Sequence, residues 1–94
     1  MNKRITAAIE KYNNSTACEL RQVYKSWSDK KQEAFNNCRK ACVDQGGHGL
    51  RILSANTSFF TVGYTYTDSS DNTHFVYITH AGSSDAIVPG WLVD

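Results

Sequence analysis

The side chains in this 94-residue chain best suited to metal binding or nucleophilic chemistry are three cysteines and three histidines. Cys38 and Cys42 stand four apart, so a helix would bring them to one face, with Cys18 or His48 as further donors. A structural zinc site wants four ligands and usually a tight Cys-x-x-Cys knuckle, which the sequence lacks. The two cysteines also fall in phase with Ala34, Phe35 and Ala41, the pattern of small core residues. A cysteine nucleophile would need a nearby histidine, and thiols that face a core are badly placed to find one. The expectation is therefore no catalytic residue, no metal ligand, no cofactor and no enzymatic activity.

The remaining polar motifs read as structure. Gly46-Gly47-His48-Gly49 resembles a phosphate cradle in composition, but such loops precede a helix and this one follows one. It is read as a helix stop and turn. Asp68, Asp71 and Asn72 lack the ligand spacing and the terminal glutamate of a calcium loop, and are read as a hairpin turn. His74 and His80 lie six residues apart on a strand, about 20 Å, too far to share a metal. Each is expected at the rim of a sheet, where histidine can respond to pH.

Charge is distributed unevenly. All ten Lys and Arg residues lie in the first 51 positions, with five acids, for a net +5. Residues 52–94 hold no base and four acids, net −4. Such asymmetry suits electrostatic recognition, although helix and strand propensities alone produce part of it.

The elements that must position these groups follow from periodicity. Ile5, Ala8, Ile9 and Tyr12 form one helical stripe over residues 3–12. Thr16 and Glu19 have capping-box spacing, and a stripe continues through Ala17, Leu20, Val23, Tyr24 and Trp27. A third stripe runs through Ala34, Phe35, Cys38, Ala41 and Cys42 until Gly46 and Gly47. The last two stripes stay in phase, so one bent helix over residues 17–45 is an alternative. Lys31 would then lie in its apolar face, and a break near Ser28 is preferred.

After Gly49 the period becomes two. Strands are expected at residues 50–55, 59–67 and 73–80, the last two forming a hairpin. Residues 81–85 read as a polar loop. Ile87 and Val88 read as a short edge strand before Pro89-Gly90, and Trp91, Leu92 and Val93 are expected to fold onto the core. The sequence thus describes a single α+β domain, helical over 1–47 and antiparallel β over 48–94. Two or three helices are expected on one face of a three- to four-stranded sheet, with the other face wet or offered to a partner.

On this basis the expected role is a small protein-binding inhibitor or adaptor. A phage-encoded inhibitor of a host defence complex, of the anti-CRISPR kind, fits the size and the absence of a catalytic motif, though no residue pattern carries it. The partner would be a host protein or complex, met by Asp68, Asp71, Asp85, Tyr64, Tyr66 and Tyr77, or by the basic residues Arg21, Lys25, Lys30, Lys31, Arg39 and Lys40. The alternative is nucleic-acid binding, with the basic half on phosphates and Tyr64, Tyr66, Phe75 and Tyr77 stacking on bases. A homodimer through an exposed sheet face or edge is a further expectation. No segment is long and apolar enough to span a membrane, and a cytoplasmic location is expected, in the host if the protein is phage-encoded.

Overall fold

A computed structural model describes residues 3–14, 26–55, 59–79 and 82–93. Helix α1 spans Lys3–Asn14 and helix α2 spans Asp29–Asp44. They precede four strands: β1 His48–Ala55, β2 Phe60–Thr67, β3 Thr73–Thr79 and β4 Gly82–Ile87. A single 3-10 turn covers Gly90–Leu92. The sheet is a fully antiparallel meander in chain order, β1-β2-β3-β4. The α+β class and the helices-then-strands order are those expected.

Helix α2 begins where the sequence breaks. Ser28 is its N-cap, with an extended backbone and a hydroxyl that accepts the Lys31 amide. Gln32 donates to the Trp27 carbonyl at 3.0 Å and anchors the same turn. The helix ends in a Schellman arrangement: the Gly46 amide donates to Val43 and the Gly47 amide to Cys42, with Gly46 at φ +71°. Of the expected helix carrying the stripe from Ala17 to Trp27, residues 17–25 lie outside the described residues, and Ser26 and Trp27 form a turn ahead of the Ser28 cap rather than helix.

Pairing of Val62 with Ile78 and Tyr64 with Val76 puts these four on one sheet face. Thr65 opposite Phe75 and Gly63 opposite Tyr77 lie on the other. Helix α2 covers the first face. Trp27, Phe35 and Cys38 pack there on Phe60 and Val62, and Cys42 packs on Tyr64 and Val76. Trp27 stacks on Phe60 (5.1 Å, 13°), and Phe35 meets both rings edge-on.

Helix α1 covers the second face. Ala8, Ile9 and Tyr12 bury Phe75, Val88 and Val93, with Leu53, Tyr77 and Ala86 alongside. Arg51 ties this helix down by donating to the Tyr12 carbonyl at 2.8 Å while its guanidinium lies over the Tyr12 ring. The carbonyl belongs to the last turn of α1, whose free C=O groups favour a cation.

The expectation of helices on one face is thereby corrected: the sheet is sandwiched between α1 and α2. The reason is in β2 and β3. Phe75 and Tyr77 are apolar on the face opposite Val62 and Tyr64, so both faces need covering, and even Thr65 is buried. A second correction concerns residues 81–85. The segment read as a polar loop contributes most of β4, which pairs with β3 from Thr79↔Gly82 to His74↔Ile87. Ladder hydrogen bonds to β3 override the low strand propensity of Gly-Ser-Ser-Asp. Strand β1 also starts two residues earlier than expected, at His48. A third correction is Trp91, which is 78% exposed while its neighbours Leu92 and Val93 pack inward.

Candidate functional site

The hairpin between β2 and β3 sets the geometry. Residues 68–71 form a β-turn closed by the Asp71 amide on the Asp68 carbonyl, and Asp71 takes φ +66°, a conformation aspartate tolerates. One Asp68 carboxylate oxygen, Oδ1, accepts the amides of Ser70 (2.9 Å) and Asn72 (3.0 Å). Its other oxygen, Oδ2, lies 2.7 Å from His74 Nε2. Register places His74 opposite Tyr66 on β2 and Ile87 on β4, with Asp85 two residues before Ile87 on the same face. His74 Nδ1 lies 2.8 Å from Asp85 Oδ1. The Tyr66 hydroxyl donates to Asp85 Oδ2 at 2.7 Å, and its ring stacks on the imidazole at 4.5 Å and 9°.

The result is an Asp68–His74–Asp85 clamp floored by Tyr66, joining turn, β3 and edge strand β4. Both imidazole nitrogens face carboxylate oxygens, an arrangement that calls for a proton on each. The hydrogen bonds to Asp68 and then Asp85 raise His74 above its ordinary 6.5. The His74 bond and the Asn72 amide hold Asp68 below its ordinary 3.8. Donation to Asp85 pushes the Tyr66 phenol up to about 12.

The pH consequence has a definite sign. Stability from His74 is fully present below 6.5 and is lost as pH rises through the raised folded value. Stability from Asp68 is present above 3.8 and is lost as pH falls through the lowered folded value. The clamp therefore contributes most between 3.8 and 6.5. In urea titrations, wild type should exceed His74→Gln by most near pH 5, with the difference shrinking toward pH 9. A pH-independent difference would show that the ion pairs contribute nothing beyond packing.

Beside the clamp lies a groove of about 450 Å³ between the end of α2 and the sheet. Tyr64, Val76 and Ile78 line its sheet side together with Asp85, and Ala41, Asp44 and Gln45 line the α2 side. Gln45 accepts the Tyr64 hydroxyl, which fixes the helix end over the strand. Ile87, on the Asp85 face of β4, is 62% exposed. A smaller groove of about 200 Å³ on the opposite face lies between α1 and β1–β3, with Arg4 and Lys11 on its rim and Tyr77 and Leu53 beneath.

The sequence-predicted site residues separate. Asp68, Asp85 and Tyr66 come together around His74; Asp71 stays exposed in the turn. Tyr64 is 2% exposed and serves as groove floor rather than as a displayed ring. Tyr77 packs on the α1 face against Phe75. The base-stacking set of Tyr64, Tyr66, Phe75 and Tyr77 is thus divided between two faces, with Tyr64 and Phe75 buried. Among the basic residues, Lys31 lies over the Trp27 ring (4.4 Å) and Arg39 over Phe35 (5.5 Å), while Lys30 and Lys40 are exposed on α2. Arg21 and Lys25 lie outside the described residues, as does His80. Burial raises the thiols of Cys38 and Cys42, in keeping with their core placement.

Sequence reasoning missed Asp44, Gln45, Val76 and Ile78 as groove residues, because no pattern shows which helix end overhangs which strand. It also missed the partners of His74. The signal available was the hairpin itself: a turn at 68–72 puts His74 opposite Tyr66 and beside Asp68. Comparison with known families, with curated proteins and with solved structures gave no match.

Proposed function

We propose that this chain is a non-enzymatic docking module, an inhibitor or adaptor that binds a protein partner through the groove beside α2. The observation that supports this reading is the groove itself: an apolar floor of Val76, Ile78 and Tyr64, acids on both rims at Asp44 and Asp85, and exposed Ile87 on the adjoining strand. An apolar floor with a charged rim is the form that specific interfaces take. Acids on two sides, Asp44 at the end of α2 and Asp85 on a strand within residues 52–94, which hold no lysine or arginine, select a partner segment that presents a lysine or arginine next to apolar residues. The narrower role, a phage-encoded inhibitor of a host defence complex, rests on chain size rather than on any groove residue.

The test is capture of partners from a host lysate by wild type, Asp44→Lys and Ile87→Asp, with nuclease present. Asp44 is exposed in the last turn of α2, where a cation is favoured, so Asp44→Lys should leave the fold intact by circular dichroism. The expected result is a partner retained by wild type and weakened about tenfold by either substitution, through a reversed rim charge at Asp44→Lys and a lost apolar contact at Ile87→Asp. Equal retention by all three removes the groove from the interface. Recovery that disappears with nuclease points to nucleic acid instead.

A further inference from the structure

We propose that the Asp68–His74–Asp85 clamp is a proton-operated gate on the groove: a protonated imidazole withholds the Asp85 charge, and its deprotonation offers that charge to a basic side chain of the partner. This rests on the docking role of the groove and adds the regulation of that site.

The geometry carries it. Asp85 lies on the groove wall and in the clamp at once. In the clamp both of its oxygens are engaged, Oδ1 by His74 and Oδ2 by Tyr66. Asp68 is likewise saturated, by His74 and by the two turn amides. With His74 protonated, two carboxylates share one cation and the cluster carries a net −1. A neutral imidazole has only one N–H, so one of the two carboxylate contacts must meet a lone pair and open. Loss of the proton from Nδ1 opens the Asp85 contact and frees its Oδ1 on the groove wall, while the cluster as a whole becomes −2. The groups facing it bring no cation: Tyr66 on β2 donates a neutral hydrogen bond to Asp85, Asp68 in the turn is an acid, and Asp44 and Tyr64 across the groove add no positive charge. No lysine or arginine occurs anywhere in residues 52–94 to compensate. The His74 side chain is 14% exposed, sufficient for exchange with solvent protons.

Two measurements on the intact protein test this. In the first, ring-nitrogen and carboxyl-carbon NMR follow His74 and Asp85 through a pH titration. The expected result is both ring nitrogens protonated at pH 6, and an Asp85 carboxyl shift that moves with the His74 midpoint. A single N–H at pH 6, or an Asp85 signal indifferent to that midpoint, overturns the gate whatever the groove binds. In the second, an acetylated, amidated Ile-Lys-Ile-Lys-Ile peptide is titrated one pH unit below and one above the midpoint. Binding should be three- to tenfold tighter above it in wild type and flat in His74→Gln. Equal affinity at both pH values in wild type also overturns the proposal. Asp44→Lys separates the two readings: peptide binding that ignores this change rejects the groove as the docking site, while the NMR titration still decides the clamp.

Discussion

Replacing Phe75 with alanine is expected to lower the folding free energy by about 4 kcal/mol, the usual range for a fully buried phenylalanine being about 3–5 kcal/mol. Phe75 is fully buried, at 0% exposure, at the centre of the α1 layer. Its ring meets Tyr12 edge-on at 5.4 Å, stacks near Tyr77 at 6.3 Å, and fills the space above Gly63. Truncation removes both the apolar transfer and the aromatic contacts, and neither a helix nor a paired strand can collapse into the gap. A domain of this length has about 5–14 kcal/mol in total, so the loss is a large share. The melting temperature should fall by about 15–30 °C. The milder pair Phe75→Leu and Phe35→Leu tests the layered architecture. Each should cost about 1.5 kcal/mol. Because Phe35 lies under α2 on the opposite sheet face, the double variant should be additive within about 0.5 kcal/mol in denaturant titrations. A coupling above 1 kcal/mol would mean that the two rings share one core.

The second large effect is expected from Gly49→Ala, at about 3 kcal/mol. Gly49 sits at φ +71° in the irregular part of β1, between the His48 and Arg51 pairings. An alanine there carries the left-handed backbone penalty of about 1–2 kcal/mol. Its Cβ would also stand inside the contact shell of the Tyr12 hydroxyl, 3.5 Å from Cζ. Tyr12 has little room to move, held by Phe75 on one side and Arg51 on its face. A double-mutant cycle separates the two terms. In a Tyr12→Phe background the oxygen is gone, and the cost of Gly49→Ala should fall to about 1.5 kcal/mol, the backbone share alone. An unchanged cost would place the whole effect in the backbone.

Much of the architecture was legible in the residues. The stripe Ile5, Ala8, Ile9, Tyr12 is the buried face of α1, and the break at Ser28 is the N-cap of α2. The alternation Phe60, Val62, Tyr64, Tyr66 is one face of β2, and Asp68–Asn72 is its turn. These signals are local: a helical period, a capping hydroxyl and a pleat each act over a few residues. The inward cysteines followed from the same periodicity.

The site was legible only in fragments. Asp68, Asp85 and Tyr66 were singled out for charge and aromaticity as groups to be offered to a partner, yet in the fold they first serve one another through His74. Asp85 reaches His74 only because β4 exists, and that strand forms from a stretch with weak strand propensity once β3 supplies a ladder.

What the sequence by itself determined is therefore the α+β class, the helices-then-strands order and the buried stripes of α1 and α2, since these depend on spacing along the chain. The tertiary structure alone decided that α1 and α2 lie on opposite faces, that β4 closes the meander, and that Asp68 and Asp85 converge on one imidazole. Those depend on register between strands and on which face each helix covers. Both are fixed by side-chain packing and hydrogen bonds between residues distant in sequence, of which a local pattern carries no trace.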